Sequence, residues 1–316
     1  MAAAATPATP PTIKPPRLRA GDAVGLISPA GPMNSADDLK HGIAQIELLG
    51  LRAVVGKHAM DKAAYLAGSD AARAEDVNTF ARDAQIRGVF ALRGGYGTMR
   101  ILDAIDYAAF QADPKIVLGF SDLTALLNAI TLRTGLVTFH GPVAAYSTYT
   151  PAVVREMQAA LMSGAPIGTL HNTSTVTVTP GSVRGKLVGG NLTLVNAVDG
   201  TPYAVPFENN ILLIEDVHEE PYQVDQLLTT LLLRGKLQST AGIAAGVFME
   251  PDRKQAEEPS PELAATLRDR LARAGRPAAY GMQFGHILNQ WILPIGMDAA
   301  FDASAGTLTI AQAATQ

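Results

Sequence analysis

The sequence contains no cysteine among its 316 residues. Without thiols the chain can form no disulfide, no thiolate metal site and no iron–sulfur cluster, and it has no cysteine nucleophile. Positive charge is also scarce, because 25 lysine and arginine residues face 29 aspartate and glutamate residues, and the net charge is −4. A protein that binds nucleic acid presents a basic stripe to the phosphates. We therefore expect no nucleic-acid partner.

Long hydrophobic runs are missing as well. No apolar run reaches the roughly 18–20 residues that span a bilayer, so we expect no membrane partner. Residues 1–17 are rich in alanine, proline and threonine. They lack the positively charged start and the apolar stretch of a signal peptide. This composition favours a flexible tail over residues 1–17.

Motifs for metals and nucleotides are incomplete. The six histidines are scattered, and His218-Glu219-Glu220-Pro221-Tyr222 has tyrosine where the zinc motif HExxH needs its second histidine. Residues 95–100 lack the third glycine of a dinucleotide-binding loop. Residues 181–186 place three residues between their glycines, where a P-loop has four. We therefore predict no metal and no cofactor.

Short apolar runs alternate with helical patterns in the first half of the chain. The runs that predict strands cover residues 23–28, 51–55, 88–92, 115–120 and 136–139. Helical spacing and capping residues occupy the segments between them. The alternation predicts βαβ units, and hence an α/β domain over residues 18–150 with a doubly wound, mostly parallel sheet and helices on both faces. Ligands of such sheets bind at the carboxyl ends of the strands.

The second half of the chain has a different pattern. Residues 163–182 are polar and rich in threonine, glycine and proline, and they follow one helical pattern over residues 151–162. We therefore predict an inter-domain connection over residues 151–182. Residues 183–316 mix apolar strand runs with helical patterns. This mixture predicts a smaller, strand-rich α/β domain at the C-terminus.

The strongest local signal is Gly119-Phe120-Ser121-Asp122, where an apolar run ends and a helical pattern begins at once. A tight strand-to-helix turn of this kind is a nucleophile elbow, which exposes the serine hydroxyl and directs the next backbone N–H at an oxyanion. The final glycine of G-x-S-x-G is missing, and a serine here is also typical of a helix N-cap. Arg93-Gly94-Gly95-Tyr96-Gly97 follows another strand run. It forms either a plain turn or a loop whose N–H groups face an anion.

A serine nucleophile needs a base, and the base needs an orienting carboxylate. His140 and His286 both lie in strand-end or loop contexts. Glu215 and Asp216 come directly after the apolar run of residues 211–214. They either orient a histidine or cap the next helix. The residue pattern alone leaves both histidines and both roles of the acids open.

Together these segments resemble the LD-carboxypeptidase family, the serine peptidases of the muramoyltetrapeptide carboxypeptidase and microcin-immunity type. The matching segments occur in the family's order between residues 20 and 310, and they are Ser28-Pro29-Ala30-Gly31-Pro32, Arg93-Gly94-Gly95-Tyr96-Gly97, Gly119-Phe120-Ser121-Asp122-Leu123-Thr124-Ala125-Leu126, His140-Gly141-Pro142, Gly189-Gly190-Asn191-Leu192, Glu215-Asp216-Val217, Pro221-Tyr222, Gly285-His286 and Leu293-Pro294-Ile295-Gly296. Each segment alone is weak, but the ordered set is specific. Phe120 departs from the family pattern, in which tyrosine is frequent.

The resemblance implies a catalytic triad of Ser121, Glu215 and His286, with backbone N–H groups of Gly95 and Asp122 as oxyanion donors. The implied activity is that of a serine LD-carboxypeptidase in cell-wall recycling. It would remove the terminal D-Ala from muropeptide tetrapeptides by a Ser-His-Glu acyl-enzyme mechanism. The implied protein is a cytoplasmic homodimer with a small peptide substrate.

Two alternatives stay open at this point. A microcin-immunity type hydrolase of peptidyl adenylates would need an aromatic clamp for the nucleobase, and Trp291 is the single tryptophan. The second alternative is a non-catalytic two-domain protein that closes on a small ligand. In that case the resemblance of the Ser121 turn to a nucleophile elbow would be a coincidence. In the leading interpretation His140 is structural. The donor for the terminal carboxylate of the substrate is not identified, and Arg93 is one candidate because arginine pairs well with carboxylates.

Overall fold

Two β-sheets organise the part of the chain that the computed structural model describes, residues 10–253 and 257–316. The strands of the first sheet are β1 (Ala23–Ile27), β2 (Arg52–Val55), β3 (Ile86–Ala91), β4 (Ile116–Gly119), β5 (Thr138–His140) and β12 (Leu293–Ile295). Their spatial order is β12-β5-β4-β3-β1-β2. Neighbouring strands are parallel except for β5 and β12.

Helices connect the parallel strands of this first sheet. They are α1 (Ala36–Leu48), α2 (Asp70–Arg82), α3 (Tyr107–Ala112) and α4 (Leu123–Thr134), with a 3₁₀ helix over Thr98–Ala104. The hydroxyl of Ser35 accepts the Asp38 N–H, and that of Ser69 accepts the Ala72 N–H, each at 3.1 Å. These serines are therefore the N-caps that begin α1 and α2. Gly135 ends α4 with a φ of 78°, which glycine adopts at little cost.

The second sheet has eight strands. They are β6 (Gly168–His171), β7 (Val176–Thr179), β8 (Ser182–Asn191), β9 (Ile211–Val217), β10 (Gly242–Met249), β11 (Ala278–Tyr280), β13 (Asp298–Asp302) and β14 (Thr307–Ile310). Their order is β6-β14-β13-β8-β9-β10-β11-β7. The four strands from β8 to β11 are parallel, and the outer pairs are antiparallel. The accompanying helices are α5 (Pro151–Met157), α6 (Leu192–Val198), α7 (Pro221–Leu233), α8 (Lys236–Ser239) and α9 (Pro261–Arg273).

The predicted fold class is confirmed as two-domain α/β, with a mostly parallel six-stranded sheet first and a mixed eight-stranded sheet second. Strand β4 and residues 211–214 of β9 are continuous apolar runs, as parallel strands covered on both faces require. Within the described ranges, no helix is both long and apolar enough to cross a membrane.

The C-terminal part of the chain contributes an edge strand to the first sheet. Leu293 of β12 pairs with His140 of β5 in antiparallel register. The last strand run predicted in the first half of the chain, residues 136–139, overlaps β5, and the sheet continues beyond β5 to β12. A three-residue strand carries too little periodicity to indicate its partner, so the pairing emerges only in the folded chain.

The segment predicted as an inter-domain connection, residues 151–182, belongs largely to the second domain. It contains α5, a π-helical turn over Gln158–Met162, and the strands β6 and β7. Strand β6 pairs with β14, and β7 pairs with β11. Part of the polar stretch 163–182 therefore forms the two edge strands of the second sheet, and the inter-domain connection over residues 151–182 stays a prediction.

Part of the predicted flexible tail is held in place. Residues 1–9 lie outside the described residues. The Ile13 N–H donates to the Gly135 carbonyl at 2.8 Å, and the Arg17 N–H donates to the Gln316 carbonyl at 2.9 Å. The Gln316 N–H returns a bond to the Pro15 carbonyl at 3.0 Å. The tail prediction is therefore wrong for residues 10–17, which are tied to α4 and to the C-terminus.

Polar contacts join the two domains next to the elbow. The side-chain amide of Asn128 donates to the Gly189 carbonyl at 2.9 Å and accepts the Gly189 N–H at 3.0 Å. The hydroxyl of Thr124 accepts the Asn191 N–H at 2.9 Å. A Cβ on Gly190 would lie 2.6 Å from Thr124 Oγ1, so only glycine permits this approach. Helix α4, which follows the elbow, is thus bound directly to β8 of the second domain.

Candidate active site

Ser121 lies at the corner between β4 and α4, at the carboxyl ends of the parallel strands. Its φ of 63° falls in the left-handed region, which non-glycine residues rarely adopt. Helix α4 begins after Asp122, and the Ser121 side chain caps no backbone N–H of the described residues. The N-cap interpretation of Ser121 is therefore wrong. The geometry is that of a strained elbow that presents a hydroxyl.

Gly94 packs directly against the Ser121 side chain. A Cβ on Gly94 would lie 3.0 Å from Ser121 Cβ, 3.1 Å from its Oγ and 3.6 Å from the Asp122 backbone nitrogen. The Gly94 carbonyl accepts the Gly31 N–H at 3.1 Å. Because the C=O and N–H of a trans peptide point in opposite directions, the Gly95 N–H is directed away from Gly31. The loop leaves room beside the hydroxyl that any larger residue at position 94 would fill.

Asp122 ties the glycine loop to the elbow. Its carboxylate accepts the Thr98 N–H at 2.8 Å, and its carbonyl accepts the Thr98 hydroxyl. Burial raises the pKa of Asp122. The buried Arg73 donates from Nη1 to the Pro29 carbonyl at 2.5 Å and to the Gly97 carbonyl at 2.8 Å. Arg73 therefore connects the two loops that flank the elbow, and the sequence did not single it out.

The second domain brings a histidine and a carboxylate to the same edge. His286 Nδ1 and Glu215 Oε2 are 2.8 Å apart, and Glu215 is completely buried. A Cβ on Gly285 would lie 3.1 Å from Glu215 Oε2, so glycine before His286 leaves room for the contact between His286 and Glu215. The His286 ring lies 4.6 Å, centroid to centroid, from Phe120, which precedes Ser121. With Nδ1 bonded to the carboxylate, Nε2 is the ring nitrogen left for proton transfer.

Glu215 also governs the protonation of His286. Burial lowers the pKa of His286, but the charge of Glu215, the hydrogen bond to it and the charge of Asp216 outweigh burial and raise the pKa above 6.5. The carboxylate therefore favours the imidazolium. Among the described residues, no hydrogen bond joins Ser121 Oγ to His286. Such bonds are often long without substrate and tighten when it binds.

Asp216 has a different role from its neighbour. Its carboxylate accepts Asn191 Nδ2 at 2.7 Å and both the N–H and the hydroxyl of Thr193 at 2.9 Å. Burial, followed by the nearby charge of Glu215, raises the pKa of Asp216 to about 6. Neither Glu215 nor Asp216 caps the next helix, α7, whose N-cap is Glu220. Asp216 instead binds the first turn of the preceding helix, α6, through Thr193. Glu215 faces His286 instead.

His140 lies close to this pair but is not bonded to it. Both of its ring nitrogens are buried without a hydrogen-bond partner in the described part of the chain. The rings of Phe120 and Phe284 meet it edge-on at 6.0 and 5.9 Å. Burial lowers the pKa of His140 to about 4, although the charge of Glu215 opposes the shift. Of the two candidate bases, only His286 contacts the carboxylate.

We expect the free energy of unfolding to fall at acidic pH because His140 is buried. The pKa of His140 is near 6.5 in the unfolded chain and about 4 in the folded one, so the unfolded state binds more protons between these values. The contribution of neutral His140 to the free energy of unfolding is complete above pH 6.5 and is lost as the pH falls towards 4. At 1.36 kcal/mol per unit of pKa the loss is about 3 kcal/mol. Urea unfolding at pH 7 and pH 4.5 measures it.

The matched control for this prediction is His140→Phe, which fits a site already flanked by two phenylalanine rings and cannot titrate. We expect the variant to lose less unfolding free energy than the parent between pH 7 and pH 4.5. Other carboxylates and histidines titrate equally in both proteins and cancel in the comparison. Parallel losses in the two proteins would show that His140 does not titrate as its burial requires.

Three other sequence predictions concern the surroundings of the site. Trp291 is 4% exposed, so its ring is not available to clamp a nucleobase. The guanidinium of Arg93 donates to the Pro32 carbonyl at 2.6 Å and to the Gly94 carbonyl at 3.3 Å. In the described ranges, no group of three or more histidine, aspartate or glutamate side chains comes together to hold a metal ion.

Comparison with known proteins matches both halves of the chain to one family. Residues 24–141 match the LD-carboxypeptidase N-terminal domain, and residues 184–301 match the LD-carboxypeptidase C-terminal domain. The "Probable murein peptide carboxypeptidase" of Bacillus subtilis (strain 168) is 37% identical over 303 residues, which cover 94% of this chain and 94% of that protein. The "Murein tetrapeptide carboxypeptidase" of Pseudomonas aeruginosa is 31% identical over 291 residues, covering 89% of this chain and 93% of that protein.

A solved structure has the same fold. The microcin C7 self-immunity protein MccF, known from Escherichia coli, has been solved in complex with aspartyl sulfamoyl adenosine. It superposes with a TM-score of 0.84 at 24% identity and covers 96% of this chain and 100% of the MccF chain. At that identity the likeness extends to the fold alone.

Proposed function

The chain belongs to the LD-carboxypeptidase family, and from this premise we propose that it is a serine carboxypeptidase that releases the terminal D-Ala of muropeptide tetrapeptides. One observation carries the proposal. The 2.8 Å contact between His286 Nδ1 and Glu215 Oε2 is made by a domain other than the one that holds Ser121. The strained turn at Ser121 and the ring of Phe120 against His286 supply the remaining support.

The proposed reaction begins with attack of Ser121 Oγ on the amide carbonyl before the terminal residue. His286 Nε2 takes the hydroxyl proton and then gives it to the leaving amine, which departs as free D-Ala. Glu215 holds the tautomer of His286 and offsets the imidazolium charge. A water molecule, activated by the same imidazole, then hydrolyses the acyl-enzyme and restores the Ser121 hydroxyl.

The oxyanion of the tetrahedral intermediate would accept the N–H groups of Asp122 and Gly95. Each such donor typically lowers the barrier by about 3 kcal/mol. The contacts of Gly94 with Ser121 and the orientation of the Gly94 carbonyl towards Gly31 support this assignment. The bonds from Thr98 to Asp122 and from Arg73 to the loops would hold these donors in position before substrate arrives.

Peptide hydrolysis tests the proposal directly. We expect release of D-Ala from a muropeptide tetrapeptide that ends in D-Ala, and no release from the epimer that ends in L-Ala, as followed by mass spectrometry. Addition of EDTA should leave the rate unchanged, because a Ser-His-Glu mechanism needs no metal. Equal turnover of the two epimers would contradict the stereochemical part, and inhibition by EDTA would contradict the mechanism.

The same assay separates the alternative activities. Hydrolysis of a peptidyl adenylate in preference to the tetrapeptide would indicate a microcin-immunity type enzyme. The burial of Trp291 counts against that activity, because a buried ring cannot stack on the base. No turnover of any substrate, together with tight peptide binding, would indicate a two-domain binding protein. The homodimer and the cytoplasmic location stay predictions from the resemblance.

A further inference from the structure

A cleft of about 310 Å³ is lined in part by His286, and Glu215 is not among its lining residues. Its walls include Phe120, Tyr146, His286 and Gln290. The volume lies at the lower end of the range for small-molecule sites. In the proposed reaction His286 passes its proton to the leaving amine, so the leaving residue has to lie next to this ring. The cleft is therefore placed to hold the terminal residue of the substrate.

Gln290 is the unexplained polar group of this cleft. Its side chain is 2% exposed, and its Oε1 is buried without a partner in the described part of the chain. Leaving a buried amide group unpaired costs about 1–3 kcal/mol, so such a group in a cleft wall indicates a partner that arrives with the ligand. A half-turn of the amide exchanges the positions of Oε1 and Nε2, and one of the two orientations presents Nε2 as a donor to a ligand.

The backbone holds Gln290 in a fixed position. The Trp291 N–H donates to the Gln283 carbonyl at 2.8 Å, and Gln283 Nε2 donates to the Asn289 carbonyl at 2.8 Å. Three residues further on, β12 is paired with β5 in the first sheet. The amide is therefore presented from a rigid segment that also carries His286, which is the arrangement that specific binding requires.

Arg93 is not one of the residues that line the cleft, but it lies against one of them. Its guanidinium carbon lies 4.9 Å from the centre of the Tyr146 ring, which forms part of the wall. Nε and Nη1 are bonded to backbone carbonyls, whereas Nη2 has no acceptor among the described residues. The Tyr146 hydroxyl is already committed, since it donates to Asp38 at 2.8 Å. An unpaired amide thus lies in the cleft wall, and an incompletely bonded cation lies against the Tyr146 ring of that wall.

We propose that this cleft is the subsite for the terminal D-residue, in which the free carboxylate accepts an N–H of Gln290 and is attracted by the guanidinium of Arg93. The inference rests on the proposed carboxypeptidase function and adds the recognition of the terminal carboxylate to it. It explains how an enzyme of this kind would act at a chain end and leave internal amide bonds alone.

The test compares two tetrapeptides that differ only at the end, one with D-Ala and one with D-alaninamide. A hydrogen bond to a charged group contributes about 1.5–3 kcal/mol, which is roughly ten- to a hundred-fold in kcat/KM. We expect Gln290→Ala and Arg93→Gln each to lower kcat/KM by about tenfold or more for the free acid, and by less than about threefold for the amide. Gln290→Glu should invert the preference, because the new carboxylate repels the terminal one.

The ratio of kcat/KM for the two substrates, measured on one enzyme preparation, is independent of any misfolded fraction. The matched control is Gln85→Glu, at an exposed glutamine in the turn before β3, which should leave both rates unchanged. Equal losses on acid and amide in the Gln290 variants, or equal turnover of both peptides by the parent, would overturn the subsite while the carboxypeptidase function stands. If the parent hydrolyses neither peptide, the proposed function itself fails.

Discussion

Replacing Ser121 by alanine is expected to lower kcat by several orders of magnitude while the fold persists. The hydroxyl is the nucleophile in the proposed mechanism, and without it His286 and Glu215 have no group to activate. The side chain makes no hydrogen bond to other described residues, so its removal leaves no buried partner unpaired. Turnover of the tetrapeptide measures the first effect, and urea unfolding measures the second.

Ser121→Gly provides the control for this variant. Glycine also lacks the nucleophile, so it should be as inactive as Ser121→Ala. It adopts the φ of 63° observed here without the penalty that a Cβ incurs. We therefore expect its unfolding free energy to exceed that of Ser121→Ala by about 1 kcal/mol. Substantial activity in either variant would exclude Ser121 as nucleophile, and equal stability would show that the turn is not strained.

Replacing His286 by alanine should be nearly as damaging as removing the nucleophile. The imidazole is the proposed carrier of the proton in both halves of the reaction, and residues that act as a unit lose most of the rate when any one is removed. His286→Ala also leaves the buried Glu215 without its 2.8 Å partner, so some loss of stability accompanies the loss of activity. Steady-state kinetics on the tetrapeptide measures kcat.

The discriminating comparison for His286 is His140→Phe. His140 is the other histidine at this edge, but its ring nitrogens form no hydrogen bond with a described residue. It stays neutral at pH 7 because burial lowers its pKa to about 4. We expect His140→Phe to retain far more activity than His286→Ala. The reverse order would identify His140 as the base and would make the contact between Glu215 and His286 a structural ion pair.

Local sequence signals predicted the elements that position the nucleophile. The apolar run before Ser121 forms β4, and the helical pattern after it forms α4. The serines at positions 35 and 69, a residue type that favours N-caps, cap α1 and α2. These features depend on neighbouring residues, so they can be inferred from a short stretch of chain.

Other features depend on residues that are distant in the sequence. Arg73 occupies a buried face of α2 with Val77 and Phe80, and a charged residue in such a stripe could have been noticed. Its acceptors, however, are the carbonyls of Pro29 and Gly97 on two separate loops. The proposed role of Gln290 likewise depends on the position of its unpaired amide in a cleft wall, which no local sequence pattern reveals.

Local hydrophobic periodicity and turn chemistry were enough to predict the alternation of strands and helices, the corner at Ser121 and the acid after the apolar run of residues 211–214. Local patterns do not show that Glu215 bonds His286 or that Asp216 binds Thr193 in the first turn of α6, and both contacts come from the folded structure. It also decided that β12 crosses to the first sheet and that residues 10–17 pack against the body of the protein. These outcomes rest on hydrogen bonds and close packing between segments far apart in the chain, and such pairings arise only when the folded backbone brings the segments together.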